Sequence, residues 1–215
     1  METDPYFKRE QTATKHFILR RYLQTLVYKL FLGGHREISY IDGFSGPWET
    51  QTEDFSDSSF MIAIDVLKTA HYDLKAQGKP RTTRCFFVEK DRRAYELLTE
   101  AVSKHHSPQD SFYVATFNGR FEDATSEIVK FIGNSFALVF IDPTGWTGYS
   151  YDAIRPVLRH APNEVLINFM YDFVNRAAAM SDPKTIESLD PILGGPGWKG
   201  RLKGDVPLGQ EIERI

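Results

Sequence analysis

Only one cysteine, Cys85, stands in 215 residues. The chain can therefore form neither an internal disulfide nor a thiolate cage around zinc, and it carries no compositional mark of export. No apolar run approaches the roughly 18 residues that a membrane span requires. The start, Met-Glu-Thr-Asp-Pro, lacks the basic-then-apolar profile of a secretory signal. These absences predict a cytoplasmic protein with no membrane partner. Excess positive charge is missing too: 26 Lys and Arg against 29 Asp and Glu leave a net charge of −3. That allows a local basic face but not a broadly basic nucleic-acid binder. There is no internal repeat, no low-complexity tract and no G-x-G-x-x-G dinucleotide fingerprint.

What is present is a core-forming composition, 41% apolar and 13% aromatic, at a length that suits one domain. Thr14 stands where it could cap a helix, and Leu19, Tyr22, Leu23, Leu26 and Leu30 then follow the spacing of one buried face. Gly33-Gly34 ends that helix. Beyond it, short β-rich runs near 38–42, 84–89, 111–116, 136–141 and 164–169 alternate with helical patterns at 57–77, 91–104, 121–132 and 151–160. Such alternation predicts an α/β fold with a mainly parallel sheet and helices on both faces. The run Ala137-Leu138-Val139-Phe140-Ile141 is apolar throughout and is expected at the middle of the sheet. Residues 1–34 read as an N-terminal helical extension and 35–180 as the core. Residues 181–215 read as a Gly/Pro-rich loop leading into the start of a C-terminal segment at Glu211–Ile215.

Three strand ends carry the chemistry. Tyr40-Ile41-Asp42-Gly43-Phe44-Ser45-Gly46-Pro47 runs from a buried strand into a carboxylate and two glycines. In open α/β sheets the ligand crevice lies at this carboxyl edge, and Gly43 and Gly46 would let a ligand approach the backbone. The second strand ends in Glu89, an acid able to accept from both ribose hydroxyls of a nucleoside cofactor. Equally, Glu89 could belong to the solvated start of a helix, where acids favour the macrodipole. After the third strand, Asn118-Gly119-Arg120-Phe121-Glu122-Asp123 offers acceptors for an adenine amino group, or simply first-turn acids. Ile141-Asp142-Pro143-Thr144-Gly145-Trp146 ends the fourth strand with a carboxylate, a proline-shaped turn and a ring able to stack on a base or to act as a hydrophobic lid.

The D-x-F-x-G loop at Asp42–Gly46 resembles motif I of class I S-adenosylmethionine-dependent methyltransferases. Asp142-Pro143 with Trp146 resembles, in part, the D/N-P-P-aromatic motif of the amino-directed members; the second proline is absent and the ring comes one residue late. The order of segments resembles the three-Cys-motif partner family. It consists of Lys15-His16-Phe17-Ile18-Leu19-Arg20-Arg21-Tyr22-Leu23, the Tyr40–Pro47 loop, Phe140–Trp146, and Ile167-Asn168-Phe169-Met170 with Asn175-Arg176. Arg120 and Thr144 depart from the family pattern. The resemblance implies a Rossmann-like class I methyltransferase fold with an extra N-terminal helix, S-adenosylmethionine as cofactor, and a three-cysteine-motif protein as partner. It places Asp42, Gly43, Phe44, Gly46, Glu89, Phe121 and Glu122 on the cofactor, and Asp142, Pro143 and Trp146 by the acceptor. Lys15, His16, Arg20, Asn168 and Arg176 fall on the substrate side, or serve as a solvated basic stripe and backbone partners. No candidates appear for the two strands that usually finish this fold, so either the chain is shortened or the fold is a reduced variant.

Three functions compete on these residues. The leading expectation is methyl transfer to an amino group of a nucleic-acid base, without a metal. The second is a cofactor-binding partner protein without turnover. The third is a nuclease holding Mg²⁺ between Asp42, Glu89 and Asp142.

Overall fold

The computed structural model describes residues 6–7, 9–46, 50–160 and 162–202. Five strands form one parallel sheet: β1 (Glu37–Asp42), β2 (Thr82–Glu89), β3 (Phe112–Asn118), β4 (Phe136–Ile141) and β5 (Asn163–Ile167). Their spatial order is β3-β2-β1-β4-β5. Parallel neighbours need crossovers, supplied by α2 (Ser59–Ala76), α3 (Arg92–Ser103), α4 (Phe121–Ile132) and α5 (Tyr151–Leu158). The fold is the Rossmann-like α/β architecture expected from the sequence. The middle strand, however, is β1; the fully buried β4 lies beside it. Both need apolar side chains on alternate faces, so apolarity alone did not rank them.

Each strand divides its side chains between two cores. Tyr40, Cys85, Phe87, Leu138 and Phe140 pack with Leu19, Leu23, Phe60, Ile64 and Leu98 from α1 (Glu10–Leu32), α2 and α3. Ile41, Phe86, Val88, Val139 and Ile141 pack instead with Phe121, Ile128, Ile154 and Val157 from α4 and α5. Helices therefore cover both faces, and α1 precedes the first strand as the extra N-terminal helix.

Thr14 is not the cap of α1, which begins at Glu10; its hydroxyl donates back to the Glu10 carbonyl at 2.9 Å, as an interior threonine does. True side-chain caps occur at Ser58 of α2 and Asp91 of α3.

After β5, α6 (Tyr171–Ala178) lies within the span read as core, and the stretch read as a long loop holds α7 (Pro183–Glu187) and a short 3-10 turn at Trp198–Arg201. Val174, Ala177, Leu189, Leu193 and Trp198 form a third, smaller core. Prolines and glycines hid this packing because they interrupt helical periodicity without preventing burial. Gly194, Gly195 and Gly197 take positive φ, which permits the tight turns between the pieces. The Glu211–Ile215 helix start lies outside the described residues.

Candidate functional site

The chain leaves β1 toward β2 on one side, while β4 pairs on the other. This makes the carboxyl end of β1 the topological switch point, where open α/β sheets bind ligands. A cavity of about 770 Å³ opens there.

Its floor is the loop after β1, clamped to both neighbouring strands. Gly43 N–H donates to the Phe140 carbonyl at 2.9 Å, and Ser45 N–H to the Val88 carbonyl at 2.8 Å. Ser45 Oγ closes the turn on the Asp42 carbonyl at 2.8 Å. Asp42 does not line the cavity. It is fully buried behind the loop, accepting from Phe44 N–H at 3.0 Å and from Ser59 Oγ at 2.8 Å. Burial pushes its pKa up to about 6 against the opposing pull of those hydrogen bonds. Asp42 thus shapes the loop from beneath.

Gly43 lines the cavity, but the glycine is required by a different neighbour than a ligand. A Cβ there would stand 2.8 Å from the ring of Phe121. Phe121 in turn stacks on Phe44, with centroids 6.2 Å apart. Phe44 and Phe121 both line the cavity as one apolar wall. Gly46 is half-buried and is not among the lining residues.

Glu89 lines the cavity at the end of β2 with only 3% of its surface exposed. Its Oε1 accepts Asp91 N–H at 2.6 Å, which orients the carboxylate. The solvated helix-start alternative does not describe it; Asp91 is the cap of α3. Asn118 ties β3 to β2 by donating to the Glu89 carbonyl at 2.9 Å, and stays outside the cavity. Glu122 lines the cavity and accepts Ser150 N–H at 3.2 Å, whereas Asp123 is exposed and does not line it.

At the other end, Asp142 and Pro143 follow β4 and line the cavity with Trp146. Lys15 Nζ meets Asp142 Oδ2 at 2.5 Å, and Asn168 Nδ2 donates to Oδ1 at 2.8 Å. Lys15 and Asn168, expected on the substrate side, thus both contact Asp142, and neither is itself among the residues that line the cavity. His16 is buried beside them, 3.1 Å from the Tyr6 hydroxyl; burial first, then the Lys15 cation, push its pKa down to about 4. Arg20 is exposed and outside the cavity, and Arg176 stacks on Phe173 away from its lining. Trp146 Nε1 donates to Ser188 Oγ at 2.9 Å, and its ring lies 6.5 Å from Phe173.

Sequence reasoning missed Lys90 as a lining residue and noted Arg120 only as a departure from a pattern. It also missed Ser188, Pro191 and Ile192, which line the cavity from the segment read as loop. No local motif signals them. Among the described residues, no three His, Cys, Asp or Glu side chains gather as a metal site. Asp42, Glu89 and Asp142 end neighbouring strands, yet Asp42 turns both oxygens away to the loop and α2. None of the described helices is long and apolar enough to cross a membrane.

No family model matches the sequence, and no curated protein matches it. Among solved structures, the chain is similar to a protein from Staphylococcus aureus described provisionally as a caffeoyl-CoA O-methyltransferase. The two share 9% identity over 86% of this chain and 73% of that one, with a TM-score of 0.46. The fold assignment rests on the strand order and parallel register themselves.

Proposed function

We propose that the protein is an S-adenosylmethionine-dependent methyltransferase of the three-Cys-motif partner type. The observation that carries this reading is Glu89: a nearly buried carboxylate, held by Asp91 N–H, facing a cavity at the switch point. Such an acid suits the paired hydroxyls of a ribose. The loop also favours a nucleoside without pyrophosphate, because Phe44 stands where a phosphate-binding turn has small residues. The Phe44–Phe121 wall and Glu122 offer apolar surface and an acceptor to an adenine.

The cofactor, when bound, would supply a methyl group on a sulfonium: the acceptor nitrogen's lone pair would form the new bond as the carbon–sulfur bond breaks to the thioether, and the methylated amine would release its proton to water. The chain's part is positioning, which can account for about 7–11 kcal/mol of a barrier. Asp142 is set beside the acceptor, where its remaining lone pairs accept from an amine. A nucleic-acid base with an exocyclic amino group is the acceptor class we favour, with Trp146 as the stacking surface. The experiment is transfer of a labelled methyl group to total RNA and DNA. Transfer by the native chain and its loss in Asp142→Ala support the reading; full transfer by Asp142→Ala contradicts the acceptor assignment.

One observation favours a second reading, a cofactor-binding partner of a three-cysteine-motif protein without turnover. Trp146 is committed to Ser188 and Phe173, so its ring is less free to receive a base. Cofactor binding without transfer to any nucleic acid, together with capture of the three-cysteine-motif protein, would select this reading.

A further inference from the structure

Lys15, on α1 outside the sheet, meets the crevice at its edge through Asp142, which lines the cavity. Its Nζ lies 2.5 Å from Asp142 Oδ2, with 29% of its side chain exposed against 10% for Asp142. An ammonium has three donors and an ionised carboxylate about four acceptor positions. Among the described residues the pair therefore leaves donors on Lys15 and lone pairs on Asp142 unused, even with Asn168 on Oδ1.

Among the described residues, the charged groups that act on this end are committed. Arg9 pairs with Asp57 at 2.9 Å, and Asp57 also accepts from Gln51 N–H and Thr52 Oγ1. Asp42 gives its oxygens to Phe44 and Ser59. His16, held at a pKa of about 4, is neutral at physiological pH. The cations that line the cavity itself, Lys90 and Arg120, stand by Glu89 at the opposite end. Two contacts fix the first turns of α1, Arg9 to Asp57 and Tyr6 to His16, so Lys15 projects from a fastened base.

We infer that Lys15 anchors the carboxylate of the cofactor's amino-acid end, with Asp142 and Asn168 as positioning residues that hold its ammonium at the crevice. A charge-assisted hydrogen bond in a sheltered crevice is a strong recognition element. It complements Glu89, so that one charged group reads each end of the ligand. This inference rests on the cofactor reading given above.

The test uses the full chain and two ligands in calorimetric titration. S-adenosylhomocysteine carries the amino-acid end; 5′-methylthioadenosine keeps the adenosine and sulfur and lacks it. The native chain is expected to bind S-adenosylhomocysteine at least ~10-fold more tightly, in keeping with one charged hydrogen bond. Lys15→Met should remove most of that preference while leaving the affinity for 5′-methylthioadenosine unchanged, and Lys15→Arg should restore part of it. If Lys15→Met keeps the native preference, or weakens both ligands equally, or if the native chain shows no preference, the proposal is overturned and the cofactor reading stands. If the native chain binds neither ligand, the cofactor reading itself fails.

Discussion

At the β1–β2 end of the crevice, the contacts that build the site are made by strand ends and the loops leaving them. Asp42 holds Phe44, Ser45 reaches Val88, and Glu89 holds Asp91. At the β4–β5 end they join distant parts of the chain: Lys15 to Asp142, Asn168 to Asp142, and Trp146 to Ser188. The first end takes its shape from the sheet. The second depends on α1 and on the small core around Trp198 being in place. On the proposed reading the donor's adenosine lies at the first end, and its amino-acid end with a variable acceptor at the second, since binding specificity is more easily changed in added segments than in a strand edge.

The largest expected effect falls at the second end. Asp142→Ala should lower methyl transfer by about 10²–10³-fold, the scale of removing one positioned polar group. It should leave 5′-methylthioadenosine affinity within about two-fold in a calorimetric titration. Loss of that affinity would break the division into two ends.

The buried titratable groups at the two ends give opposite pH slopes. Asp42, raised to about 6, binds a proton in the folded chain that the unfolded chain has released, so its contribution to stability is lost as pH rises from about 4 to 6. His16, lowered to about 4, refuses a proton that the unfolded chain takes, so its contribution is lost as pH falls from about 6.5 to 4. Each amounts to about 3 kcal/mol at about 1.4 kcal/mol per unit. Together they nearly cancel. Denaturant unfolding between pH 4 and 6.5 should show stability rising with pH in Asp42→Asn and falling with pH in His16→Asn. Parallel slopes in the two variants would contradict the burial described for one of them.

Gly43→Ala tests the first end alone. Its Cβ would meet Phe121 at 2.8 Å, and overpacking of this kind costs about 1–3 kcal/mol. Thermal unfolding should show the loss, and S-adenosylhomocysteine should bind more weakly because the Phe44–Phe121 wall must shift. The smallest change is expected for Trp146→Phe, which keeps a ring but loses the bond to Ser188, about 1 kcal/mol in unfolding free energy.

The same division explains what the sequence revealed. The five strands, the Asp42–Gly46 loop and Glu89 were legible because strand ends and the loops that follow them leave local patterns. The roles within the loop were not: Asp42 looked like a ligand residue and is a buried loop clamp, while Gly43 serves Phe121. The Lys15–Asp142 contact was not legible, because salt-bridge partners on distant segments leave no spacing to read. Ser188, Pro191 and Ile192 were illegible for the same reason, in a segment whose glycines and prolines disguised a small core.

The most direct measurement is calorimetric titration of S-adenosylhomocysteine into the native chain and into Glu89→Gln. Glutamine keeps an oxygen for Asp91 N–H and removes the charge proposed to read the ribose. One ligand is expected to bind per native chain, with affinity about ten-fold or more weaker in Glu89→Gln. Absence of binding to the native chain, or equal affinity in both, would contradict the assignment of this crevice to the cofactor.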